Sequence, residues 1–207
     1  MEIQSIAAAQ AHDVEIWLGS RAFRHLMATC TLADEKLEPR RQRLSTQVAV
    51  RAVSIARKLA LGEQETIQLE WAAQVQRIGE LCLHESLRSK SFLDMSSLEM
   101  KAYRQYPIFS AFRLSTDARV ICDGILKHRE YFSGDGFLKN DRDGKVPMAA
   151  RILCVATEYE ELMMFHGVSP EVQDTIQRRM FKNTIGRYDQ HVIHALMKTV
   201  VEENVIH

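Results

Sequence analysis

A surplus of either charge is missing from this sequence. Its 27 Lys and Arg balance 27 Asp and Glu. Non-specific nucleic-acid binding draws on a basic excess, so no nucleic-acid partner is expected. Long apolar runs are missing too. None approaches the roughly 18 residues of a membrane span, so no membrane association is expected. The first residues, Met1-Glu2-Ile3-Gln4, have neither the basic start nor the apolar stretch of a signal peptide. A start at Met1 fits a whole small protein, and a piece cut from a larger one stays open. The four cysteines, Cys30, Cys82, Cys122 and Cys154, are widely spaced and form no CxxC pair. That pattern argues against a zinc cage or a disulfide framework and for reduced thiols in the cytoplasm. Period-two alternation, internal repeats, a Gly-rich phosphate loop, a nucleophile elbow and HExxH are all absent.

Helical periodicity is what remains. The composition, 46% hydrophobic over 207 residues, suits one compact domain with a small helical appendage. Val48, Ala52, Ile55, Ala56 and Leu59 recur at spacings of three and four, which predicts a helix stopped at Gly62. A second helix is predicted from near Gln64 through Ile67, Trp71 and Val75 to Ile78. Ser96 with Glu99 reads as a capping box for a helix reaching about Leu114. Thr116 is expected to cap the next, through Val120, Ile121 and Ile125. Ser133-Gly134-Asp135-Gly136 and Asn140-Asp141-Arg142-Asp143-Gly144 are turn chemistry and predict a loop. Helix resumes after Pro147, with Ile152, Val155, Ala156 and Tyr159 on one face. Ser169-Pro170 starts another, and a last one runs from about Gln190 past Val200. Residues 1–40 are expected to form an N-terminal helical segment and linker, with Ile16, Trp17, Leu18, Phe23 and Leu26 as its apolar face. Residues 41–207 form the main domain.

Within that domain, His128-Arg129-Glu130-Tyr131-Phe132-Ser133-Gly134-Asp135-Gly136-Phe137 resembles the HD-GYP signature HHExxDGxGYP. Val146-Pro147-Met148-Ala149-Ala150-Arg151-Ile152-Leu153-Cys154-Val155-Ala156 is similar to its IPLAARIxxVAD segment. Ala72 to Glu80 sits where the family has AAxLHDIGK, and Tyr106-Pro107 falls at the spacing of its HPE. The collinear match spans about residues 44–207. It implies an all-α fold, an HD-domain-like helical bundle with the N-terminal segment added, and a bacterial signalling setting. Active relatives hydrolyse cyclic di-GMP at clustered His and carboxylate ligands that hold two or three metals, which acidify a water and clamp phosphoryl oxygens.

Carried over position by position, the resemblance implies a degenerate site. The His-Asp pair falls on Gln76 and Arg77, and the following Lys on Glu80. The HPE histidine falls on Tyr106, the double histidine on His128 and Arg129, and the VAD aspartate on Thr157. An upstream histidine falls at or near Leu44. Glu130 matches, and Gly-Tyr-Pro reads Gly136-Phe137-Leu138. A guanidinium cannot ligate a metal and stays protonated. Like unit charges about 4 Å apart cost on the order of 4 kcal/mol at an effective dielectric near 20. No catalytic residue, metal ligand set or cofactor is therefore expected, and the chain is expected not to be an enzyme. Arg77 and Arg129 are expected to pair with Glu80 and Glu130, with phosphate binding as the alternative.

Three further clusters carry weaker signals. His191 and His194 share a helix face but lack a third ligand. Asp141-Arg142-Asp143-Gly144 fails as a calcium loop, because Lys139 and Ala150 fall at its first and twelfth positions. Met163, Met164 and Phe165 are either core or a partner surface. The expectation is a catalytically inactive regulatory domain that works by protein–protein contact in a signalling pathway. A homodimer stays open. The alternative is a non-hydrolysing sensor of cyclic di-GMP or a related nucleotide, and a metal-dependent phosphodiesterase comes third.

Overall fold

A computed structural model describes residues 44–114, 119–138, 146–183 and 185–206. The N-terminal segment, Cys30, the Thr116 cap and the Asn140–Gly144 turn lie outside these residues. Every regular element among the described residues is helical: α1 (Leu44–Lys58), α2 (Glu63–Val75), α3 (Glu85–Arg88), α4 (Ser97–Tyr103), α5 (Tyr106–Leu114), α6 (Arg119–Lys127), α7 (Met148–His166), α8 (Pro170–Lys182) and α9 (Gln190–Ile206). Two short 3-10 turns, Ile78–Cys82 and Phe92–Asp94, lie between α2 and α4.

The bundle is built around α7, which packs against α1, α2, α6, α8 and α9. From Ile152 to Met163 every residue of α7 is buried. A helix covered on all sides belongs at the centre of a domain. The apolar face of α1, Val48, Ala52, Ile55 and Ala56, lies in the same core as Leu153, Val155 and Leu196. Ser96 caps α4 by accepting from Glu99 N at 3.3 Å, while the Glu99 carboxylate accepts from Ser96 N at 2.8 Å. Ser169 caps α8, with Pro170 in its first turn. Met163 is buried and Met164 packs partly buried against the core.

Three boundaries differ from the sequence reading. The turn after α1 is made by Ala60 at φ 55°, not by Gly62; Leu61 N donates to Ala56 O at 3.1 Å, which closes the helix end. Gly62 instead caps α2, and its N–H donates to the Glu65 carboxylate at 3.2 Å. That second helix ends at Val75 and gives way to a 3-10 turn, so Ile78 lies beyond it. The helix expected from Ser96 to Leu114 is two, because the ring of Pro107 clashes with a helical carbonyl four residues earlier. That residue is Tyr103, where α4 stops.

Among the described residues no helix is long and apolar enough to cross a membrane. Among the described residues Cys82, Cys122 and Cys154 form no disulfide. Cys154 is buried, and burial pushes its thiol up to about 12.

Candidate functional site

The positions singled out by the resemblance converge at the ends of α2, α5 and α6 against the side of α7. Gln76, Arg77, Glu80, Tyr106, His128, Arg129, Glu130 and Thr157 are all buried. What brings them together is a close backbone approach. A Cβ on Gly79 would sit 2.2 Å from Tyr106 O, so only glycine lets the Ile78–Cys82 turn lie on α5. Ser110 of α5 locks the contact. Its hydroxyl accepts from Gly79 N at 2.9 Å and donates to Gln76 O at 2.6 Å.

The centre is ionic. Arg77 reaches Glu161 Oε1 at 2.7 Å through Nη1 and Glu80 Oε1 at 2.7 Å through Nη2. Arg129 Nη2 takes the other Glu161 oxygen at 2.6 Å. Tyr103 donates its phenolic proton to Glu80 at 3.0 Å. Burial works against charge on both arginines, and the carboxylates override it: Glu80 first for Arg77 and Glu161 first for Arg129 hold each well above the usual guanidinium range. Burial likewise works against the Glu161 carboxylate, yet Arg129 and Arg77 hold it below its ordinary range.

Beside this cluster, Arg129 Nε donates to Tyr106 Oη at 2.9 Å. His128 Nδ1 lies 2.5 Å from Ile125 O, which can only accept. The proton therefore sits on Nδ1, and Nε2 accepts from Tyr106 at 2.8 Å. Burial first, then Arg129, drop the imidazole to about 3, so it is neutral near pH 7. Gln76 and Thr157 bond to each other at 3.0 Å.

Glu130 serves the loop after α6. Its carboxylate accepts from Gly136 N and from Leu138 N, the latter at 3.0 Å. A Cβ on Gly136 would lie 2.5 Å from both Arg129 O and Glu130 Oε1, so glycine is needed there as well. The loop is pinned further by Ser133 N on Gly186 O at 2.7 Å and Phe132 N on Arg187 O at 3.0 Å.

The residues present do not fit the metals that the resemblance implies. Both oxygens of Glu161 and both of Glu80 are engaged by arginine or tyrosine. Both nitrogens of His128 are committed. Among the described residues no three His, Cys, Asp or Glu side chains converge as metal ligands. His191 contacts Asp189 at 3.3 Å, and His194 donates to Gln190 O within its own helix.

Sequence reasoning missed Glu161, which pairs with both Arg77 and Arg129. The signal was Glu158-Tyr159-Glu160-Glu161 inside an otherwise apolar helix. At about 100° per residue these acids leave α7 in three directions. Glu158 meets Arg187 at 2.5 Å, Glu160 meets Arg51 at 2.8 Å, and Glu161 meets the centre. Tyr103 was missed because it carries no motif.

A protein-family model described as HD domain matches residues 29–192. Among curated proteins the chain is similar to cyclic di-GMP phosphodiesterase PdeB of Borreliella burgdorferi, 25% identical over 159 residues. That match covers 75% of this chain and 42% of the relative, so the chain spans less than half the relative's length. Among solved structures it resembles Bd1817, described as a HDG"Y"P protein from Bdellovibrio bacteriovorus, with a TM-score of 0.65 at 18% identity. The overlap covers 76% of this chain and 51% of that one. At that identity the likeness speaks for the helical fold. The expectation that the chain is not an enzyme is corrected by these matches, because the curated relative is named as an enzyme. Replaced ligands speak against one metal site. They do not speak for every reaction the fold can host.

Proposed function

Because the chain belongs to the HD domain family and carries a domain of HD-GYP type, we propose that it is a regulatory domain of cyclic di-GMP signalling that acts by contact with another protein. The observation that carries this reading is Glu161 bridging Arg77 and Arg129. An ion-pair cluster stands where metal ligands would be needed, and it holds α7, α6 and the Ile78–Cys82 turn together. Exposed apolar side chains, Leu98 at 79%, Val168 at 79% and Ile185 at 92%, offer contact points of the kind partners cover. The bacterial sources of both similar proteins support a bacterial setting, and the lack of a disulfide among the described cysteines supports the cytoplasm.

A cyclic dinucleotide held by Arg77 and Arg129 is not favoured. Both guanidinium groups are buried and already paired.

The test is affinity purification of the tagged full chain from its own cells, with Leu98→Asp, Val168→Asp and Ile185→Asp alongside. The expected result is one protein recovered at a fixed ratio to the chain and lost with at least one of the three variants. A chain that purifies alone, or whose three variants all keep the same recovered protein, would sink the reading.

A further inference from the structure

We propose that a groove between α7 and α8 binds a small apolar carboxylic acid, with Arg179 as the receptor for its carboxylate. The groove has a volume of about 330 Å³. A cavity of roughly 150 Å³ already takes benzene, and small-molecule sites begin near 300 Å³. Its floor is apolar: Leu162 of α7 with Val172 and Ile176 of α8, all packed into the main core. Its rim is exposed and polar. None of the lining residues belongs to the ionic centre or to the positions marked by the family resemblance.

The two ends of the groove differ in charge. Only Gly167 to Ser169 join α7 to α8, so His166 at the close of α7 and Glu171 at the opening of α8 share the turn end. There a base and an acid offset each other. The Glu171 carboxylate already accepts from the Ser169 hydroxyl at 2.8 Å, and the Thr175 hydroxyl donates its proton to Glu171 O at 2.8 Å. Arg179 stands eight residues beyond Glu171, about 12 Å along the helix. Among the described residues it has no ion pair, whereas its neighbour Arg178 meets Asp174 at 2.9 Å. An apolar floor favours any apolar body, and the few polar groups around it fix the head group and its direction. Here the unanswered charge is one guanidinium, whose fork matches a carboxylate. An acid with its body over Leu162, Val172 and Ile176 and its head on Arg179 meets both demands. Leu98, Val168 and Ile185 do not line the groove, so the site stands or falls independently of the protein partner proposed above.

Calorimetric titration of the full chain near pH 7.5 tests it, with octanoate, 2-naphthoate, octanol and octylamine as probes. The expected result is one acid per chain, with octanol and octylamine about tenfold weaker or more. Arg179→Gln should weaken the acids by about fivefold or more. Thr175→Trp, at an exposed position of the rim, should fill the groove and abolish binding. Arg178→Gln, which does not line it, should leave binding unchanged, and circular dichroism checks that all three variants fold. Octanoate binding more tightly than 2-naphthoate assigns the groove to an acyl chain; the reverse order assigns it to a ring. No heat from the unaltered chain with either acid at about 5 mM, well above a sub-millimolar Kd, overturns the proposal. So does equal affinity for octanol or octylamine, or full binding by the folded Arg179→Gln or Thr175→Trp variant. A dimer in sedimentation that Thr175→Trp turns into a monomer would put a second copy in the groove and overturn it as well.

Discussion

Glu161 stands between Arg77 and Arg129 with one carboxylate oxygen on each guanidinium, at 2.7 and 2.6 Å. Removing one partner from a buried ionic cluster leaves uncompensated charge. Glu161→Gln should therefore cost about 3–5 kcal/mol of stability in urea unfolding. Replacing all three residues together with apolar ones of similar size should recover most of that loss. A single variant within about 1 kcal/mol of the unaltered chain would mean that the cluster is held by something other than its charges.

Metal should not be part of the folded protein. Bound iron or manganese, measured by elemental mass spectrometry after loading, should stay below about a tenth of an equivalent, since neither arginine yields a free ligand pair. A chelator should leave Tm unchanged, because a ligand that binds only the folded state would raise it. A Tm that falls on chelation would mean that these side chains hold a metal despite their ion pairs.

Acid should weaken the fold in two stages. His128 sits at about 3 in the folded chain against an ordinary 6.5. The unfolded chain thus takes up that proton first as pH falls. The stability tied to the neutral ring is complete above 6.5 and drains away toward 3, at up to about 1.4 kcal/mol per pH unit. Glu161, held low by its arginines, adds loss only below the ordinary carboxylate range. Unfolding midpoints between pH 7.5 and 4 should slope downward from near 6.5, and His128→Gln should flatten the upper part. A flat profile from 7 to 5 in the unaltered chain would show that the ring is not held neutral.

Ala60 adopts φ 55° at the end of α1, a region that costs an L-residue with a Cβ about 1 kcal/mol or more. Ala60→Gly should raise stability by about 0.5–1 kcal/mol despite the extra freedom of the unfolded chain. Thermal unfolding measures it. A lowered Tm would place another interaction at that methyl group.

These boundaries mark how far the sequence could be read. Helices with a periodic face, such as α1, or a clear start signal, such as α7 and α8, lie where Val48–Ile55, Pro147 and Ser169-Pro170 put them. The break at Tyr103 was in principle readable, since Pro107 stands four residues on and cannot follow a continuous helix. The ionic centre was half legible. Motif position marked Arg77 and Arg129, but Glu161 lies 84 and 32 residues away from them. Long-range pairing leaves no local pattern. Only three acids inside a buried helix hinted that arginines must come from elsewhere.

The touch between Gly79 and Tyr106 O is backbone on backbone, with no side chain in between to take up slack. The Ile78–Cys82 turn and α5 must therefore move as one piece. Arg77 and Glu80 ride on or beside that turn, and Ile108 is exposed on α5. Pressure on the outside of α5 is thus geared directly to the ion pairs inside, and a partner docking there would act on the centre as a lever acts on a latch.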